Sequence, residues 1–176
     1  MSNDDYSSLI VKLFSSQGVC LHTTPQVEQD NDNLFDLVHV FRQFSREVDG
    51  GELHRLVFQP PVNFQNTFTT SFSGRLYDWK QQEKQAIQVI FDDKASPIYI
   101  LVKASLSLPV DSLHGLIDDI QQCFQKFDKL LEINDDNSNH HHHKDNWKNS
   151  LCLPEQVKQV VTELTTKVAV GSSRRG

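Results

Sequence analysis

The sequence predicts an α+β protein, with an antiparallel sheet of about four to six strands packed by one long amphipathic helix and a second helix near the C-terminus. Three observations carry that prediction. From Asp111 to Leu131, Leu113, Leu116, Ile120, Cys123, Phe127 and Leu130 recur at steps of three and four. Ile117, Phe124 and Leu131 widen that line into a core-facing stripe. Immediately upstream, Ile98, Ile100, Val102, Ala104, Leu106 and Leu108 keep the two-residue period of a strand with one face on a core. Finally, the apolar segments from Leu53 to Leu108 are short and closely connected. That spacing suits antiparallel neighbours, because parallel strands need long crossovers.

Taken in order, residues 1–8 are polar. Leu9 to Phe14 is a short apolar run compatible with a helix turn or a strand, and Gly18 is its stop. Val19 to Leu21 reads as a brief extended piece, and residues 25–33 as a loop rich in Asp, Asn and Gln. Leu34 to Val48 admits two readings. As a helix it places Leu34, Leu37, Val38, Phe41, Phe44 and Val48 on one face, capped by Asn33 and closed by Gly50-Gly51. As a strand it is the first arm of a hairpin that turns at Asp49-Gly50-Gly51 and returns from Leu53 to Phe58. The spacing favours the helix.

Pro60-Pro61 ends the next strand, since neither proline can donate to a ladder. Phe68, Thr70, Phe72, Gly74 and Leu76 alternate before Tyr77 and Trp79 switch parity, as a β-bulge does. Ile87, Val89 and Phe91 form another strand face, and Asp92 to Pro97 turns into the strand from Ile98. Pro109 stops that strand, and Asp111 or Ser112 can cap the helix that follows. Asn134 to Asn149 has too little apolar area to offset its ordering entropy. Pro154 suits a first helical position, with Val157, Val160, Val161, Leu164 and Val168 as the apolar stripe behind it. The organisation expected is one α+β domain over residues 1–133 and an Asn/Asp/His-rich insertion at 134–149. A helix at 150–170 packs on the same domain, ahead of a tail at 171–176.

Composition narrows the function. A formal net charge of −6 is the wrong sign for a nucleic-acid binder, which needs a basic stripe to neutralise phosphates. No apolar run approaches the roughly 20 residues of a membrane span, and the acidic start lacks the basic region of a secretory signal. Three widely spaced cysteines suit a reducing compartment, so cytoplasm or nucleus is expected.

Candidate chemistry is sparse. His140 to His143 could hold a transition metal weakly, but a specific site needs fixed tetrahedral ligands and groups to orient them; no metal or cofactor is expected. Cys20 and His22 share a face if the segment is extended, with no third group to orient the imidazole. Cys123 falls on the buried side of its helix and reads as core. His39, Glu52, His54 and Arg55 surround one turn without a nucleophile, and Asp118-Asp119 and Asp135-Asp136 are pairs in sequence only. Phosphate-binding glycine loops and hydrolase motifs are missing from the sequence. Tyr77, Trp79 and Tyr99 are the aromatic residues best placed to anchor a protein partner.

The run Thr69-Thr70-Ser71-Phe72-Ser73-Gly74-Arg75-Leu76-Tyr77-Asp78, the strands at Ala86–Phe91 and Ile98–Ala104, and the helix from Asp111 resemble the small proteasome-assembly chaperones of the third and fourth subunit types. The resemblance spans residues 34 to 131, using the hairpin reading of 34–58. It implies an antiparallel sheet flanked by helix, hetero-dimerisation, and docking on α-subunits during ring assembly without catalysis. The function expected is a non-enzymatic protein-binding subunit, either such a chaperone or a structural adaptor of another complex. A small enzyme with an unrecognised pocket is the alternative from a different class.

Overall fold

The computed structural model describes residues 9–26, 33–59, 86–95, 97–135 and 152–173. Strands β1 (Leu9–Ser15) and β2 (Cys20–Thr24) precede helix α1 (Asn33–Glu47). Strands β3 (Arg55–Phe58), β4 (Ile87–Asp92) and β5 (Ile98–Ser105) follow, then helices α2 (Val110–Asp135) and α3 (Glu155–Ser173). The strands form one antiparallel sheet in the order β2-β1-β5-β4-β3, and the architecture is α+β. The bulged strand expected around Phe68–Trp79, the Pro60-Pro61 stop and the His140–His143 tract lie outside the described residues.

β1 is interior, flanked by β2 and β5, and all seven of its residues are buried. A strand covered on both faces shows a continuous apolar run rather than alternation. That is why Leu9 to Phe14 reads ambiguously, and it resolves as strand. Its register with β5, Val11 to Val102 and Leu13 to Ile100, puts matching residues on one face. On that face Leu9, Val11, Leu13, Ile90, Ile100 and Val102 pack against Leu113, Leu116, Ile117, Ile120 and Phe124 of α2. Leu153, Val157 and Val161, at the start of α3 and along it, complete this core. The other face carries Phe14, Val89, Phe91 and Leu101 beneath Phe35 and Val38 of α1.

Gln88 ties β4 to the turn between β5 and α2. Its buried amide donates to the carbonyls of Ser105 (3.0 Å) and Leu108 (2.7 Å) and accepts from Arg55 Nε (3.0 Å). The β1–β2 turn depends on Gly18, whose φ of +81° suits glycine and where an added Cβ would lie 3.0 Å from the Phe35 ring.

Over Leu34–Val48 the favoured helix forms and the hairpin alternative does not, while several other expectations are corrected. Asp49 takes the left-handed conformation at the end of that helix and donates its N–H to Arg46 O, and Gly50 completes the closure by donating its N–H to Ser45 O, without Gly51. β5 stops at Ser105, although Leu106 N–H still donates to Ala86 O and Leu108 reaches the core. α2 continues to Asp135, into the tract expected to be structureless from 134, and Leu130 is 59% exposed because the core stripe drifts off at the end of a helix this long. Proline carbonyls, of Pro109 and Pro154, accept the first-turn bonds of α2 and α3, so Pro154 stands just outside its helix. α3 runs through Gly171 to Ser173. Val160 is partly exposed, and its place in the buried stripe goes to Thr165, whose hydroxyl is satisfied by Val161 O at 2.8 Å.

Leu116→Ala should therefore cost about 2–5 kcal/mol, whereas Leu130→Ala on the same helix should cost less than about 0.5 kcal/mol. Urea denaturation of the two variants beside the parent chain checks the contrast.

Candidate functional site

Helix α1 carries two apolar lines that cannot both face the sheet. One is Leu34, Leu37, Phe41, Phe44 and Val48, at alternating steps of three and four; the other is Phe35 and Val38. The second one is buried. The Phe35 ring lies 4.7 Å from Phe14, 6.0 Å from Tyr99 and 6.1 Å from Phe91, centroid to centroid. One turn on from Val38, Arg42 fixes the helix's rotation. Its guanidinium sits 4.7 Å over the Phe91 ring, and its Nη2 donates to Asp93 (2.8 Å) and Glu52 (3.3 Å). Arg46 adds two bonds of 3.0 Å to the same Glu52 carboxylate. The Arg46 hydrogen bond holds the Glu52 carboxyl below its ordinary range, and the same bond raises Arg46.

The consequence is a correction with functional weight. Of the face expected on this helix, Val38 is buried and Leu34 packs partly against the core, but Leu37, Phe41, Phe44 and Val48 turn outward, and with Val40 they are between 39% and 63% exposed. A folded domain leaves so many large apolar side chains together where another surface covers them.

The residues singled out in the sequence do not meet in one place. Tyr99 lies on the sheet face under α1, half-buried and 5.5 Å from Phe91. Tyr77 and Trp79 lie outside the described residues. His39 stacks on Phe35, Glu52 is held by the two arginines, Arg55 bonds Gln88, and His54 is exposed, so these four do not converge. Asp118 and Asp119 are exposed. Burial raises the Cys123 thiol pKa, away from a reactive thiolate. Among the described residues no cluster of His, Cys, Asp and Glu could hold a metal ion, and no helix is long and apolar enough to cross a membrane.

Cys20 and His22 do not share a face. The register of β1 against β2 shifts between Leu13 and Phe14. Cys20 packs toward the α1 side, its Sγ 3.2 Å from Thr23 Oγ1, whereas His22 Nε2 meets Thr162 Oγ1 of α3 at 3.2 Å. Around that bridge, β2 and α3 enclose a groove of about 710 Å³ lined by Cys20, Leu21, His22, Thr23, Gln26, Glu155, Lys158, Gln159, Thr162 and Glu163. No sequence signal marked this groove, because its walls are far apart in the chain and polar on both sides. The Arg42–Glu52–Asp93 cluster was missed for the first of those reasons.

Comparison of the chain with protein-family models, with curated proteins and with solved structures finds no match.

Burial lowers the pKa of His22 from the ordinary 6.5; the Lys158 ammonium lowers it further, and Glu155 partly opposes them. The neutral imidazole is thus the folded form. The unfolded chain takes up the proton first, so this contribution is intact above pH 6.5 and declines as pH falls below it toward the folded pKa. Urea midpoints between about pH 7.5 and pH 5 should fall more steeply for the parent chain than for His22→Gln, which can keep the bond to Thr162 but does not titrate. Equal slopes would show that His22 does not contribute.

Proposed function

We propose that this chain is a non-enzymatic protein-binding subunit that docks a partner protein through the outward face of α1. The single observation behind this reading is the exposed line Leu37, Val40, Phe41, Phe44 and Val48, held outward by the Arg42 contacts. Phe41 and Phe44 have the size and rigidity of interface anchors, and the spacing of the line suits an apolar helix or sheet on the partner. Tyr99 serves this reading from beneath, by supporting Phe35, rather than as a direct contact.

The finer form of the proposal is an assembly chaperone that works as a hetero-dimer in building a proteasome-type complex, in cytoplasm or nucleus. The strand at Ile98–Ala104 followed by the helix from Asp111 supports the resemblance behind it. The helix at Asn33–Glu47 departs from it, standing where the resemblance needs a hairpin arm, and Thr69–Asp78 lies outside the described residues. A structural adaptor of another complex uses the same α1 face and is tested by the same experiment.

Phe44→Glu is an exposed change, expected to alter folding stability by no more than about 0.5 kcal/mol. It should reduce stoichiometric recovery of the partner at least about tenfold, the size of effect that a central aromatic anchor produces. A photo-crosslinker placed at Val40 should join the parent chain to that partner. Undiminished recovery with Phe44→Glu, or no crosslink from Val40, would refute docking through α1.

A further inference from the structure

The groove between β2 and α3 has a geometry of its own. Four consecutive β2 residues, 20–23, line it. Leu21 packs on the core beneath α2 and α3 and His22 reaches α3, while Cys20 and Thr23 meet on the opposite face, so a cavity touching all four runs along the strand's edge. β2 is the outermost strand of the sheet, and among the described residues only β1 pairs with it. Such an edge offers main-chain N–H and C=O groups to an incoming strand. The facing wall is a single stripe of α3: Glu155, Lys158, Gln159, Thr162 and Glu163, the i, i+3, i+4, i+7, i+8 pattern of one helix side. The contact from His22 to Thr162 pins that wall to the sheet and fixes the width of the slot.

We propose that this slot binds an extended, basic segment of a partner protein, which adds to β2 as a further strand and lies against α3. Strand addition supplies affinity through main-chain bonds, and the wall beside it supplies selectivity at alternate side chains. Glu155 and Glu163 mark the two ends of the wall; the one cation between them, Lys158, bonds Glu155 Oε1 at 3.0 Å, so the stripe carries one net negative charge, and the 87% exposed Glu155 keeps its second oxygen for an incoming cation. The whole chain carries a net charge of −6, which attracts a basic segment from a distance.

The spacing specifies the ligand further. Eight helical residues separate the two carboxylates, about 12 Å along the axis. An extended chain advances about 3.3 Å per residue, so the same distance takes roughly four residues. Four is even, so both partner side chains point the same way. The segment recognised therefore has Lys or Arg at two positions four apart. This slot involves neither α1 nor the sheet face beneath it, so the inference stands apart from the docking surface proposed above.

The test uses the full chain and a fluorescein-labelled, end-capped ten-residue peptide of Thr, Val and Ser bearing two lysines four residues apart, at low salt. Saturable binding is expected, with new protection from hydrogen exchange at those amides of residues 20–23 that face away from β1. Moving one lysine so that the two are three apart, or replacing both by glutamate, should weaken binding at least about tenfold, as should Glu163→Lys. Gln159→Arg, an exposed change that crowds the slot, gives a second variant whose folding is checked by circular dichroism. Absence of saturable binding, or binding indifferent to both variants, would overturn the proposal. So would outward-facing β2 amides, those not bonded to β1, already protected in the free monomer, which would assign the slot to the chain's own segments. Protection that appears only on dimerisation would assign it to a second copy and overturn it equally.

Discussion

The pairing of β1 with β5 is the constraint on which the rest of the structure depends. The first and last strands in chain order meet at the centre of the sheet through seven paired positions, Leu9 with Ala104 to Ser15 with Ile98. A shift of one residue would send Val11, Leu13, Ile100 and Val102 to the opposite face, away from α2, so the register is set by burial on both sides. With that pair in place, β2 and β4 follow as neighbours through a short turn on either flank, and the two faces acquire different tasks. One buries α2 and α3 in a large apolar core. Among the described residues the other receives only a short length of α1.

That asymmetry explains why α1 carries the functional reading. Its stronger apolar line was free to turn outward because the second face of the sheet offers an aromatic socket, Phe14, Phe91 and Tyr99, that one ring fills. The Arg42 guanidinium closes the other end of the contact by covering Phe91 while reaching Asp93 and Glu52. A helix anchored by one aromatic ring and one cation presents its remaining apolar side chains on a fixed support. Fixed support lowers the ordering cost of association.

The far edge of the sheet follows a different logic. The bulge in β2 at Leu21 sends Cys20 and His22 to opposite faces, which removes the one thiol–imidazole pair that the sequence suggested. The same strand leaves its outer edge beside the polar side of α3. The outward α1 face and the β2 slot therefore differ in chemistry as well as in position, one apolar and one polar with acidic ends.

The sequence by itself determined the elements whose pattern is local. The alternation at Ile98–Ala104, the stripe of α2 and the Val157–Val161 line of α3 are all legible, because in each case one face lies in the larger core and the period of the backbone writes itself into the residues. It also disclosed that Leu34–Val48 has the spacing of a helix. Only the tertiary structure decided which side of that helix is buried. Two lines compete there, and the winner depends on Phe14, Phe91 and Tyr99, from three strands, and on Asp93 in the turn after β4. The β2 slot was invisible for the same reason: a strand edge and a polar helix side acquire meaning only when the fold sets them face to face.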